Sequence, residues 1–111
     1  MEDHIAPWKT TYKGAKYLGG PVRFVLGGSG HIAGIVNPPA AKKYHFWTND
    51  QLPATADEWF ADATQRTGSW WDDWQSWVDK LNGGQKVPAR IPANAIEDAP
   101  GSYAMMRVIQ K

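Results

Sequence analysis

The run Gly27-Gly28-Ser29-Gly30-His31-Ile32-Ala33-Gly34 constrains this chain more than any other feature. It follows Val22-Arg23-Phe24-Val25-Leu26, and the apolar character there predicts a buried strand over residues 21–26. A strand that empties into a loop made almost wholly of glycine can turn sharply, because glycine accepts backbone angles that other residues avoid and lets a substrate approach the main chain. One imidazole hangs on that loop, well placed to act as a general base. On composition alone, His31 is open between that role and a loop histidine satisfied by a backbone hydrogen bond. Asp3, ahead of the first helix, is the acid that a relay to His31 needs; read by itself it is an ordinary capping or surface carboxylate.

The remaining segments are short. Pro7 opens a helix whose apolar positions are Trp8, Tyr12, Ala15 and Leu18, and Gly19-Gly20 ends it. Residues 32–36 form either a helical turn or an extended piece, stopped by Asn37-Pro38-Pro39. Residues 44–48 read as a short strand. Thr55 and Glu58 have the spacing of a capping box and predict a helix over residues 56–64, closed by Gly68. Ser69 then caps the strongest helix, with Asp72 at the reciprocal position, and Trp70, Trp74, Trp77, Val78 and Leu81 make one stripe along it. That spacing favours a buried helix face over a ligand platform, and Trp71, which falls off the stripe, is the tryptophan expected at the surface. Gly83-Gly84 stops the helix. From Lys86 onward the chain is rich in Pro, Ala and Gly and reads as an extended or partly disordered tail, with Tyr103, Met105, Met106, Val108 and Ile109 its apolar cluster. A single strong strand leaves its edges unpaired, so the sheet is incomplete and belongs to a larger fold.

Composition narrows the chemistry. At 111 residues the chain holds one domain at most. A formal net charge of +1 gives no electrostatic case for nucleic acid or an anionic membrane. No apolar stretch approaches the roughly 20 residues that span a bilayer, and no signal sequence opens the chain, so a cytoplasmic address is the default. The absence of cysteine excludes disulfides, thiolate metal sites and a thiol nucleophile within these residues. His4, His31 and His45 lack metal-ligand spacing, and no metal or cofactor is expected; His4 and His45 are read as packing or solvent-facing residues.

Three chemistries can be tried on the glycine loop. A nucleophile elbow centred on Ser29 needs glycine at position 31 and finds histidine, and the prolines arrive too soon for a full helix. Gly28-x-Gly30-x-x-Ala33 matches a permissive dinucleotide fingerprint but lacks the crossover helix and second parallel strand. The order acid, helix, last strand, histidine fits the histidine loop of an α/β hydrolase.

With Asp3-His4-Ile5-x-Pro7-Trp8, the Arg23–Gly34 block, Asn37-Pro38-Pro39, His45-Phe46-Trp47-Thr48-Asn49-Asp50 and Gly68-Ser69-Trp70-Trp71-x-x-Trp74, the chain closely resembles the C-terminal end of polyhydroxyalkanoate synthases, class I in particular. The similarity runs from Glu2 to about Leu81 and returns weakly at Pro100-Gly101-x-Tyr103. It implies an α/β fold: residues 1–85 as the C-terminal portion of an α/β-hydrolase catalytic domain, and residues 86–111 as an extended tail. It implies an acyltransferase that polymerises (R)-3-hydroxyacyl-CoA to polyester with release of CoA, through a cysteine carrying the growing chain. By the same resemblance His31 is the base for that cysteine, and Asp3 orients His31 or helps activate the incoming 3-hydroxyl. The partners implied are the thioester substrate, the growing polyester, the rest of the synthase chain and a second copy in a homodimer, on a polyester granule in the cytoplasm. The cysteine and its box would lie upstream, so this polypeptide is expected to be inactive alone; Met1 reads either as an added start on a fragment or as a start codon within a longer reading frame. Two rivals remain from other classes: a non-catalytic binding module built on Trp70, Trp71, Trp74 and Trp77, and a small serine hydrolase using Ser29.

Overall fold

The strands expected at residues 21–26 and 44–48 are two of three. In a computed structural model that describes residues 1–107, β1 (Val25–Gly27), β2 (His45–Thr48) and β3 (Thr64–Thr67) form an antiparallel sheet in the order β1-β2-β3. Val25 lies opposite Thr48 and Gly27 opposite Phe46, while His45 lies opposite Thr67 and Thr48 opposite Thr64. β1 is shorter than residues 21–26, because β2 offers no partner beyond Thr48 and Pro21 has no N–H to donate. β2 alternates as a half-buried strand should, with Phe46 and Thr48 inward. β3 is exposed at all four positions, so no apolar alternation announced it.

Helices α1 (Trp8–Ala15), α2 (Ala33–Val36), α3 (Ala56–Ala61), α4 (Trp71–Leu81) and α5 (Ser102–Met105) accompany the sheet, with a 3-10 turn at Pro39–Ala41. The first helix stops at Ala15 rather than Leu18. Its end tightens into i→i−3 bonds from Lys16, Tyr17 and Leu18, and Leu18 is left exposed. At α3 the capping box is made as read: Glu58 N–H donates to Thr55 Oγ1 at 3.2 Å, and Thr55 N–H donates to Glu58 Oε2 at 3.0 Å. The Thr55 N–H, and after it the Thr55 side chain, hold the Glu58 carboxyl below its ordinary range. This helix ends at Ala61, not residue 64; Gly68, at φ 95°, closes β3 instead.

The core joins α1, β1 and α3 through Tyr12, Phe24, Leu26, Ala56 and Trp59. Phe24 meets both Tyr12 and Trp59 edge-on at 5.0 Å, the geometry that aromatic quadrupoles favour. Tyr12 Oη donates to the Pro53 carbonyl at 2.7 Å, which satisfies the phenol in the core.

Two expectations are corrected. Trp71 is at the surface as expected, 41% exposed, but no residue of α4 is buried, and Trp74 and Leu81 of the stripe are 38% and 57% exposed. Helical spacing places these side chains on one face but does not determine what covers them. Residues 82–100 are exposed throughout, yet the tail then forms α5. Tyr103, Met105 and Met106 there are exposed, whereas Val108 and Ile109 lie outside the described residues. Among the described residues, no helix is long and apolar enough to cross a membrane.

Candidate active site

Asp3 and His31, 28 residues apart in the chain, meet with His31 Nδ1 2.7 Å from Asp3 Oδ2. Each is positioned by local backbone chemistry. The other Asp3 oxygen, Oδ1, accepts from Ile5 N–H at 2.8 Å and Ala6 N–H at 3.0 Å, a turn that leads directly into Pro7 and α1. Oδ2 is thereby aimed at the imidazole. Above all the Ala6 N–H, then the His31 ring and the Ile5 N–H, outweigh the cost of burial and lower the Asp3 carboxyl from 3.8 to about 2. Asp3 is mostly covered, its side chain 18% exposed, while that of His31 is 46% exposed.

His31 is held by a tight turn. Its carbonyl accepts from Ala33 N–H at 2.7 Å, across Ile32 at φ 54°. A β-branched residue is strongly disfavoured at positive φ, so the surroundings must impose this turn. The Ile32 carbonyl then accepts from Ile35 and Val36 and starts α2. The piece at residues 32–36 is therefore a helical turn rather than extended.

Gly28 and Gly34 serve packing. A Cβ on Gly28 would stand 2.4 Å from the His45 ring and 2.7 Å from the His45 carbonyl oxygen. A Cβ on Gly34 would stand 3.3 Å from the Ser29 nitrogen. At Gly28 it is therefore His45, not open space for a substrate, that comes against the loop. His45 also lies edge-on to Trp47 at 4.7 Å, and His4 is exposed, in keeping with the packing and solvent roles expected of them.

A hollow of about 180 Å³ is lined by Asp3, Ser29, Gly30, Ile32, Phe24 and Leu26 but not by His31. A larger one, about 490 Å³, lies between the sheet and α4 and does not include His31. Ser29 makes no hydrogen bond to His31 among the described residues, so the serine reading gains no geometric support.

The tryptophans have an unexpected task. Trp70 Nε1 and Trp71 Nε1 each donate to the Ile35 carbonyl at 2.8 Å. Ser69 Oγ accepts from Trp71 N–H at 3.2 Å, as a cap should, but donates to the Asn37 carbonyl at 2.6 Å, and the reciprocal bond expected from Asp72 is not made. Nothing in the helical spacing signals these contacts, which cross more than thirty residues.

No family model matches the chain. Curated proteins do, over nearly its whole length. The poly(3-hydroxyalkanoate) polymerase subunit PhaC of Rhizobium etli is 49% identical over 110 residues, 96% of this chain. The subunits of the same name from Rhizobium meliloti and Cupriavidus necator are 50% and 47% identical over 109 residues. The chain spans only 17% to 18% of the length of these relatives.

Proposed function

We propose, from the premise that this chain is homologous to poly(3-hydroxyalkanoate) polymerases along nearly its whole length, that it supplies the histidine and aspartate of an acyl-transfer site. The whole catalytic domain would be of the α/β-hydrolase type, and the enzyme an acyltransferase of class I that extends a polyester from (R)-3-hydroxyacyl-CoA. The observation that carries this reading is the 2.7 Å contact between His31 Nδ1 and Asp3 Oδ2.

A carboxylate on Nδ1 fixes the imidazole tautomer, leaving the Nε2 lone pair to take a proton. In this reading Nε2 takes the proton of a cysteine thiol, and the thiolate attacks the thioester carbonyl. The carbon–sulfur bond to CoA breaks as the bond to cysteine forms, and the CoA thiolate leaves with the proton that His31 held. The 3-hydroxyl of the next unit then attacks the cysteine thioester and passes its proton to His31; the ester carbon–oxygen bond forms as the carbon–sulfur bond to cysteine breaks, and the released cysteine sulfur takes that proton back from His31. Asp3 is the counter-charge that each protonated state of the imidazole meets.

These 111 residues contain no cysteine, so the thiol comes from another segment of the polymerase and the residues alone are inactive. The test is His31→Ala in a polymerase subunit that carries this segment, scored by CoA release from (R)-3-hydroxybutyryl-CoA. A loss of about 10²-fold or more is expected for removing a general base; unchanged turnover in a folded variant overturns the reading. CoA release by the 111 residues alone would overturn the requirement for an outside thiol.

A binding module is the second reading, favoured by the exposure of Trp71 and Trp74. It predicts strong acrylamide quenching of tryptophan fluorescence that a bound polyester or sugar oligomer relieves.

A further inference from the structure

We infer that Trp70 and Trp71 are positioning residues for His31, acting through the Ile35 carbonyl. The part of the inference that concerns catalysis rests on the acyl-transfer reading above; the part that concerns geometry does not.

Helix α2 has only four residues. A single turn cannot sustain itself, because its few internal bonds do not offset the ordering of its backbone. Its terminal carbonyls also lack partners within the helix. At its N-terminal side Ile32 holds φ 54°, a conformation a β-branched residue leaves when free to do so. Restraint must therefore come from outside, and it comes from the β3–α4 junction. Both indoles donate to the Ile35 carbonyl, which uses both of its lone pairs. One step further, Ser69 holds the Asn37 carbonyl, and Asn37 Nδ2 donates to the Lys43 carbonyl at 2.6 Å.

Between His31 and the clamped Ile35 lie Ile32, Ala33 and Gly34, and Gly34 rests against Ser29 and Gly27. The turn therefore has little freedom to relax while the indoles hold its far end. The paired rings are themselves braced: Trp70 and Trp71 lie 5.8 Å apart, and Trp74 packs on both at 6.3 and 5.9 Å. Trp74 contributes its ring but no hydrogen bond to α2 among the described residues.

The experiment reads the His31 ring directly. In the 111-residue chain, nitrogen-15 NMR reports the Nδ1–H tautomer and its hydrogen bond to Asp3. Trp70→Phe and Trp71→Phe each keep an aromatic ring but remove one indole donor, and each is expected to weaken the Nδ1–H signal. The double variant is expected to lose it, and Trp74→Phe to leave it unchanged. In a polymerase carrying the segment, the same pair should lower kcat with little change in KM. An unchanged His31 signal in both single variants overturns the inference, whether or not the double variant folds. An equal loss in Trp74→Phe overturns it too, since packing and not the indole donors would then be responsible. Failure of the function reading would look different: His31→Ala would leave polymerase turnover intact whatever the ring signal does.

Discussion

Arg23 grips Asp73 with two parallel hydrogen bonds, Nε to Oδ2 at 2.9 Å and Nη2 to Oδ1 at 2.8 Å. The pair ties the approach to β1 onto the first turn of α4. Asp73 holds the Arg23 guanidinium above its ordinary pKa, with help from Asp50, whose Oδ1 accepts from Nη1 at 3.0 Å. The Asp73 side chain is only 9% exposed, whereas that of Asp50 is 89% exposed.

The two carboxylates are therefore expected to differ in worth. Arg23→Lys, which cannot form the fork, should cost about 2 kcal/mol of stability, in the range of hydrogen bonds to charged groups. Asp50→Ala should cost no more than about 0.5 kcal/mol, because exposed ion pairs are screened by water and salt. Urea unfolding with an unchanged slope measures both; equal losses would contradict the assignment.

Gly28 and Gly30 provide a second contrast, two positions apart on the same loop. A methyl at Gly28 meets the His45 carbonyl oxygen at 2.7 Å, and a backbone atom cannot swing away as a side chain can. Nothing lies within 4 Å of a methyl at Gly30. Gly28→Ala should cost about 1–3 kcal/mol, the range for overpacking, and should displace the His31 loop. Gly30→Ala should be nearly silent. Thermal unfolding of the two variants side by side decides the matter, and similar midpoints would contradict it.

The third prediction concerns acid. The Asp3 carboxyl sits at about 2 in the folded chain against an ordinary 3.8, so the unfolded chain takes up the proton first as pH falls. The stability Asp3 contributes is thus fully present above the ordinary value and is lost as pH falls through about 2. A carbon-13 NMR titration of the Asp3 carboxyl should show its midpoint near 2, and Asp3→Asn should remove this part of the acid sensitivity. A midpoint at the ordinary value would mean that the Ala6, Ile5 and His31 donors do not hold the carboxylate in solution.

The local chemistry was legible from the residues alone: the capping box of Thr55 and Glu58, the helix running to Leu81, the glycine loop that carries His31, and the stop at Asn37-Pro38-Pro39, though not whether residues 32–36 before it are helical or extended. Each rests on residues within a few positions of one another, where spacing alone brings side chain and backbone together. His31 and Asp3 were legible as chemical types for the same reason. Their pairing was expected as a relay and from the resemblance, but the 2.7 Å contact of Nδ1 with Oδ2 depends on how α1 and β1 fold over the intervening 28 residues. β3 escaped notice because Thr64-Gln65-Arg66-Thr67 has no apolar face, and only pairing with β2 makes it a strand. The tryptophan stripe was correct in its period and wrong in its burial. Periodicity says that side chains share a face; what each side chain meets is decided by the tertiary structure, and here Trp70 of the stripe and Trp71 off it both donate to a carbonyl on the histidine loop's own helix.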